Sequence, residues 1–388
     1  MKLFRFSLRA IAVFSVLSLG FLGCSKEEET QSELTPEQAQ KAIETTVEEF
    51  YGCLRNVNDG GFSDFFYNAF FVIAKDDRKE KVYTYTLPDG SVYTRTYTEG
   101  DSYSWSEILG DKFDEQYGPL NENQAFKFQQ LKGNYSWNAS TEKWEKSPNG
   151  SRIELRFPAN KDAKSNNAHL ILENYEDIEV AVSSSEKAKM PTKGKLLVTI
   201  DGKEMFKIEL ANVTYEKTTS FPMPLTANIS IYANPLTTNI QWKNKTPEVF
   251  TLDITMTSSG GCKTAINGEV TVKNSNYASL TSEKDLKKAN FKLVHNNITV
   301  SLDADLEKLF ALEKSPTAEQ VNMYVKSEVF HKNSKIADLV ANQDAEGKMI
   351  PELIFSDGSR KQAQDYLKDF DKRIEEIFKK FFNAEDRD

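Results

Sequence analysis

Apolar and polar residues alternate with a period of two over much of segment 195–304. The alternation is clearest in residues 225–234, 250–257 and 298–302. This is the period of a β-strand with one buried face and one face in water, which is typical of antiparallel sheets. A parallel, doubly wound sheet needs continuous apolar runs separated by crossover helices, and this sequence lacks them. The pattern predicts a large antiparallel sheet and excludes a doubly wound dinucleotide-binding domain.

Turn residues join several of the predicted strands into hairpins. The Asp-Gly dipeptide suits a tight hairpin turn because both residues tolerate a positive φ. Two such pairs stand between alternating segments, namely Asp89-Gly90 between 82–86 and 92–97, and Asp201-Gly202 between 196–200 and 206–210. Residues 138–141 predict a further hairpin between 133–137 and 143–146.

A helical period appears towards the start of the chain. Thr35, Pro36 and Gln38 form a typical helix start, with an N-cap, a proline in the first helical position and a capping-box residue. We expect this helix to reach about Leu54, and a second, strongly aromatic helix over 62–74.

The helical period returns after residue 303. It predicts short helices over 306–310 and 316–329. Residues 353–359 predict a strand followed by a turn, and Ser359 with Gln362 suggests the capping box of a final helix. The apolar stripe of that helix consists of Tyr366, Phe370, Ile374, Ile377, Phe378 and Phe381.

The predicted body covers residues 35–388. It is expected to be helical over 35–75, β-rich over 82–304 and helical over 305–388. The fold class is α+β, a large curved antiparallel β-sheet with the N- and C-terminal helices packed on its apolar face.

The first 23 residues have the pattern of an export signal. Lys2, Arg5 and Arg9 are followed by the apolar run 11–22, which is too short for an ordinary membrane-spanning helix of ~20 residues. With Cys24 directly after Gly23, this segment resembles a bacterial lipoprotein signal. The resemblance implies removal of residues 1–23 and attachment of fatty acyl chains to Cys24, with 24–34 as a flexible tether. The alternative is an ordinary signal peptide with a chance cysteine.

Residues 25–29, Ser-Lys-Glu-Glu-Glu, resemble the export tag of surface-displayed lipoproteins of the Bacteroidota. That resemblance implies an outer-membrane location on the cell surface, whereas the alternative is a solvated tether alone. Residues 134–144 and 156–158 also resemble uncharacterised predicted lipoproteins of the same group. This second resemblance implies no known activity. Loss of the signal removes three positive charges and leaves a net charge of −12, so the body should stand off an anionic lipid surface.

Composition narrows the possible functions of the 388-residue chain. Its net charge of −9 argues against capture of nucleic acid phosphates. Three histidines and three cysteines, in no ligand or nucleophile motif, leave little material for a metal site or cysteine catalysis. We therefore expect no metal and no cofactor. Carboxylates are plentiful, so an unrecognised hydrolase stays open as an alternative.

Cys53 and Cys262 are the cysteines left for the folded body. An exported chain can oxidise such a pair, but nothing in the sequence shows that they meet. The expectation favours two unpaired, buried or half-buried thiols, with a disulfide as the alternative.

Aromatic residues make up 11% of the chain and are dense in its first half. They stabilise hairpins by pairing across strands, or they form an exposed platform for a sugar ring or a protein. The candidate binding residues are Tyr83, Tyr85, Trp105 and Trp137. The favoured function is a membrane-anchored, non-enzymatic module that binds glycan, peptide or protein. The alternative is a carrier that holds an apolar ligand in a half-barrel cavity.

Overall fold

A single sheet of 16 strands forms most of the protein. The computed structural model describes the following residues: 34–59, 79–86, 92–99, 105, 107–118, 121–122, 125–147, 150–160, 163–181, 187–216, 224–280, 282–312 and 316–367. The predicted signal, tether, aromatic helix 62–74 and final helix beyond residue 367 lie outside these ranges.

The described chain contains 20 strands. In chain order these are β1 (Lys79–Thr86), β2 (Val92–Glu99), β3 (Asn121–Glu122), β4 (Ala125–Phe126), β5 (Gly133–Asn138), β6 (Lys143–Ser147), β7 (Ile153–Phe157), β8 (Ala168–Ala181), β9 (Lys187–Ile200), β10 (Lys203–Tyr215), β11 (Pro224–Ala233), β12 (Leu236–Thr246), β13 (Val249–Ser258), β14 (Lys263–Val272), β15 (Leu286–His295), β16 (Ile298–Asp305), β17 (Val325–His331), β18 (Ser334–Gln343), β19 (Met349–Phe355) and β20 (Arg360–Gln362).

The sheet is a long meander. From β7 to β20 each strand pairs with the next strand in the chain, always antiparallel. At the other edge β5 pairs with β7 in parallel and with β6 as a hairpin. Strands β1 and β2 form a separate hairpin, as do β3 and β4. The antiparallel sheet and the three hairpins predicted from the sequence are confirmed.

Five α-helices accompany the sheet among the described residues. They are α1 (Pro36–Asp59), α2 (Lys112–Tyr117), which continues a π-helical turn at Glu107–Asp111, α3 (Phe128–Leu131), α4 (Leu306–Phe310) and α5 (Ala318–Tyr324). Short 3₁₀ turns lie at Tyr277–Ser279, Glu283–Asp285 and Ala363–Leu367.

The predicted start of α1 is confirmed by its capping box. The Gln38 amide N–H donates to Thr35 Oγ1 at 3.3 Å, and the Thr35 N–H donates to Gln38 Oε1 at 2.9 Å. A capping box formed by Thr317 and Gln320 also begins α5. These bonds satisfy backbone donors that have no partner inside the helix.

The prediction that residues 305–388 are helical is wrong for most of the described part, which contains β17 to β20. The strand and turn predicted over 353–359 are confirmed by the end of β19 and the turn that follows it. The predicted helix 316–329 ends at Tyr324, and the predicted capping box at Ser359 is instead the turn before β20. The strand period is interrupted in β17, because the polar residue Ser327 lies buried between Val325 and Val329 on the apolar face. Glu328 faces away from the core, where Lys326 and Lys335 pair with it at 3.0 and 2.9 Å.

The strand register places the apolar residues of most of the sheet on one face. Opposite one another across successive strands lie Leu172, Leu196, Ile208 and Ile231, and in the adjoining row Leu210, Ile229, Ile240, Ile254, Ile266, Leu293, Val300 and Val329. Four buried clusters use this face. The largest, which we name cluster 1, joins β5–β10 to the helical segment 105–131 through residues such as Trp105, Phe113 and Val198.

The second cluster joins α1 to the far end of the sheet. Ala39, Ala42 and Ile43 of the helix pack with Ile298, Val329, Ile336, Ala337, Leu339, Leu353 and Phe355 of β16–β19. Lys361 of β20 contacts Gln40 and Glu44. Beyond this cluster, Glu49 accepts a hydrogen bond from Asn296 in the turn between β15 and β16.

The far end of α1 is bonded covalently to the sheet. Cys53 and Cys262 form a disulfide, with their Cα atoms 5.6 Å apart. The expectation of two unpaired thiols is therefore wrong. Cys262 lies in the turn between β13 and β14. Helix α1 packs on β16–β19 near its start, and Cys53 near its end lies beside that turn. Sequence spacing could not reveal this, because the contact depends on the packing of α1 across four other strands.

Candidate functional site

Seven aliphatic residues and one methionine in the middle of the apolar face form what we name the central patch. Its members are Ile208, Leu210, Ile229, Ile231, Ile240, Leu252, Ile254 and Met256, on strands β10–β13. Each of them is half-buried, as are Leu172 and Leu196 on one side of the patch and Ile266, Leu293 and Val300 on the other. Fully buried apolar residues are also present on both flanks, for example Val198 and Val329.

Strand pairing fixes the geometry of the patch. Ile229 lies between Leu210 and Ile240, and Ile240 pairs in turn with Ile254. Ile208 pairs with Ile231 in the adjoining row. Neighbouring strands are ~4.8 Å apart, so these side chains touch and form a continuous surface. The β-branched residues suit this position because they pack well on a pleated sheet.

The described helices make their main contacts on either side of the patch. Helix α1 packs on β16 and β18, α4 on β15, and α5 on β17 and β18. On the other side, α2 packs on β6 within the structure that holds cluster 1. Strands β10–β13 lie between these regions.

The two faces of these strands differ sharply in chemistry. The patch is aliphatic except for the Met256 thioether and the Thr238 hydroxyl group, which lies between Ile231 and Met256. The Trp242 ring at its border stacks on Phe250 at 5.1 Å. The opposite face carries Asn239, Gln241, Asp253, Thr255 and Asn267 in the same register. Asn267 donates to Asp253 Oδ1 there at 2.7 Å. A ligand on the patch therefore meets apolar surface, and one on the opposite face meets amides and carboxylates.

Two of the predicted binding residues are buried, and their expected exposure is wrong. Trp105 is 5% exposed and Trp137 is 6% exposed. The Trp105 indole donates to the Ala159 carbonyl at 3.0 Å, and its ring meets Phe157 edge-on at 4.6 Å. Trp137 contacts the Trp144 ring at 5.6 Å. The segment 105–131 covers this end of the apolar face, so these indoles belong to cluster 1.

The remaining predicted site residues are placed only in part. Tyr83 and Tyr85 lie in β1, opposite Arg95 and Tyr93 of β2, and their side chains are outside what the structure describes. Cys24 lies before the first described residue. No separate sequence signal marks the central patch, because the alternation in 225–257 shows which residues share a face and does not show which of them a helix covers.

The buried carboxylates are neutralised by basic neighbours. Glu154 contacts Arg152 Nη2 at 2.7 Å and Arg156 Nη2 at 2.6 Å. Burial by itself would raise the pKa of Glu154, but the two guanidinium groups hold it below its ordinary value. Glu328 has the same arrangement, because burial opposes ionisation while Lys335 and Lys326 lower its pKa overall. Both carboxylates are therefore kept ionised.

His295 is a buried titratable group under α1. Its Nδ1 shares a hydrogen bond of 2.7 Å with Thr264 Oγ1, and its ring meets Phe50 of α1 edge-on at 5.8 Å. Its Nε2 has no hydrogen-bond partner among the described residues. Burial lowers the pKa of His295, and Glu49 opposes that effect. This histidine is neutral in the folded protein near pH 7 and serves packing.

Among the described residues, no group of three or more histidine, cysteine, aspartate or glutamate side chains is placed to hold a metal ion. The described helices include none that is long and apolar enough to cross a membrane. Comparison with known proteins finds no matching family model, no matching curated protein and no matching solved structure.

Proposed function

We propose that this chain is a lipid-anchored, non-enzymatic binding protein of the bacterial outer membrane, displayed on the cell surface, and that it contacts its ligand through the central patch. The anchor is carried by Cys24 at the end of the signal-like segment. The binding role is carried by one observation, the continuous run of half-buried aliphatic side chains across β10–β13, strands that lie between the main contacts of the described helices. A contiguous apolar surface with partial access to solvent is a candidate binding surface.

The anchor has a direct test. Several acyl chains on Cys24 give stable membrane attachment, because each buried methylene contributes about 0.8 kcal/mol. In cells that make the Cys24→Ala variant, the protein should leave the membrane fraction or keep its signal. A Cys24→Ala protein that stays fully in the membrane fraction would contradict the proposal.

The surface location rests on the short run of charged residues after Cys24. Alanine in place of Lys26, Glu27, Glu28 and Glu29 should lower digestion of the protein by a protease added to intact cells. A variant with alanine at Ser25 alone is the control. If digestion is unchanged, the charged residues after Cys24 serve only as a tether.

We further propose that the sheet is curved with its apolar face concave. An open, twisted sheet of more than about ten strands curls, splits or flattens, and this sheet has 16. Helix α1 occupies the apolar face of β16–β19, as expected for the inner side of a curl. The central patch continues that side past the end of α1.

A hydrolase has little support from the described carboxylates. A general acid needs a pKa raised towards neutral pH, whereas basic neighbours lower the pKa values of Glu154 and Glu328. Both residues act as structural ion-pair partners, and binding is the better-supported function.

The binding role is tested by photo-crosslinking in native outer membranes. The chain carries p-benzoyl-phenylalanine at position 254, in the patch, or at position 255, on the opposite face of the same strand. We expect an adduct with a distinct molecule from position 254 and none from position 255. Equal adducts from both positions, no adduct, or a crosslink confined to the chain itself would overturn the proposal.

A further inference from the structure

We infer that β6 is an edge of the sheet suited to pairing with β6 of a second copy of this chain, and that the side chain of Gln116 keeps this edge closed. Neither the lipid anchor nor the central patch takes part in this contact. Three features support it: the position of β6, the hydrogen bonds of Gln116 and the charges along the strand.

Strand β6 is the outermost strand at one edge of the 16-strand sheet, and its strand partner there is β5. An edge strand presents backbone N–H and C=O groups on its outer side, where a strand of another chain can pair with them. In an antiparallel strand these groups point alternately inwards and outwards along the chain. Those of Trp144 point outwards, away from β5, and those of Lys146 therefore do so too.

Gln116 of α2 occupies both outer groups of Trp144. The Trp144 N–H donates to Gln116 Oε1 at 2.6 Å, and Gln116 Nε2 donates to the Trp144 carbonyl at 3.2 Å. The Tyr117 hydroxyl also donates to this carbonyl at 3.2 Å. A neighbouring strand would need the same two backbone groups, so it cannot pair with the middle of β6 while Gln116 is in place.

Packing in cluster 1 holds α2 beside β6. Phe113 of α2 is fully buried, and its ring meets the Trp144 ring at 6.0 Å. The Trp144 indole donates to the Ile108 carbonyl, just before α2, at 2.9 Å. Gln116 itself is exposed. Its side chain can therefore be removed without opening the buried cluster.

The charges of β6 favour a second copy as the strand that would pair with this edge. Lys143 and Glu145 lie on either side of Trp144, and both are exposed. When two copies of β6 pair antiparallel with their Trp144 residues opposite each other, Lys143 of each copy lies opposite Glu145 of the other. Opposite charges at opposed positions stabilise a strand pair, and two-fold symmetry makes this contact twice.

The test measures the mass of the mature chain with Cys24→Ala by light scattering after size-exclusion chromatography. The Gln116→Ala variant should change from one chain to two as its concentration rises. The parent should stay monomeric, as should the control Gln130→Ala, which removes an exposed glutamine of α3 instead. Adding Lys146→Pro, which removes an outer N–H of β6, should return the Gln116→Ala variant to a monomer.

Hydrogen exchange in the parent keeps the inference testable if Gln116→Ala fails to fold. The Trp144 amide should exchange more slowly than the Lys146 amide, because Gln116 accepts a hydrogen bond from it. Equal exchange of the two amides would overturn the inference. So would a dimeric parent, a Gln116→Ala variant that stays monomeric at every concentration, or a dimer that persists with Lys146→Pro.

Discussion

Cys53 of α1 and Cys262 of the β13–β14 turn are joined by a disulfide although 209 positions separate them in the chain. A crosslink of this span removes much of the conformational freedom of the unfolded chain. The chain-entropy account gives a stabilisation of about 5 kcal/mol for a loop of this length. The bond holds the second half of α1, beyond the helix residues that pack in the second cluster, at the β13–β14 turn.

We therefore expect the Cys53→Ala/Cys262→Ala variant to unfold at a lower urea concentration than the parent. Its free energy of unfolding should fall by as much as about 5 kcal/mol. Equilibrium unfolding followed by circular dichroism measures the change. A reducing agent should destabilise the parent to the same level and leave the variant unaffected. If the reduced and oxidised parent unfold alike, the disulfide has no stabilising role.

Gly268 of β14 is required by the ring that lies over it. A Cβ atom at this position would overlap the ring of Phe291, which is opposite it on β15. Gly268→Ala should therefore force the ring from its place and cost about 1–3 kcal/mol in the free energy of unfolding. Gly194→Ala in β9 is the control, because its Cβ would meet Tyr175 at an ordinary 3.6 Å. Equal stability of the two variants would contradict the prediction.

Stability should depend on pH through His295. Burial lowers the pKa of this histidine in the folded protein, so below its ordinary value of 6.5 the unfolded chain binds a proton that the folded chain does not. Stability should therefore be intact near pH 7.5 and fall as the pH drops from 7 to 5. Urea unfolding at a series of pH values measures the slope. His295→Gln should flatten the slope, and an unchanged slope would remove His295 as its source.

The side chain of Asn322 in α5 makes two hydrogen bonds with the backbone of Ala341 in β18, as a neighbouring strand would. Its side-chain amide donates to the Ala341 carbonyl at 2.9 Å and its side-chain carbonyl accepts from the Ala341 N–H at 2.8 Å. Asn322→Ala should cost about 1 kcal/mol and speed hydrogen exchange at the Ala341 amide. Met323→Ala, at the exposed neighbouring position, is the control and should leave that exchange rate unchanged. Equal exchange rates at the Ala341 amide in both variants would contradict the proposed role of Asn322.

Local patterns in the sequence predict local structure well. The Asp201-Gly202 turn has positive φ values of 50° and 76°, as its hairpin requires, and the capping box at Thr35 begins α1. The strand from Val325 was missed because Ser327 stands between Val325 and Val329 on the apolar face, where its hydroxyl donates to the Ser301 carbonyl at 2.8 Å. A sequence pattern records polarity, and it does not record whether a hydrogen bond will allow a polar residue to be buried.

The candidate site was beyond the reach of the sequence for a different reason. The sequence shows that Trp105 and Trp137 are aromatic, but it does not show whether their rings are exposed or buried. Their burial depends on how the described helical residues between 105 and 131 pack on the sheet. Likewise Ile229 and Ile240 have the same strand period as buried Val329, although their exposure differs. The distinction depends on which helices cover which strands, and that is decided by contacts between distant parts of the chain.

The connectivity of the sheet also implies an order of events as the chain folds. Between β7 and β20 every strand meets a partner that directly precedes or follows it, so these pairings close short loops at little entropic cost. The contacts of α1 with Asn296 and Lys361 join residues 247 and 321 positions apart. Pulse-labelled hydrogen exchange during refolding should show amides of β11–β15 protected before those of α1. The helix nearest the proposed anchor would then be the last described element to take its place, when nearly all of the chain has already been exported.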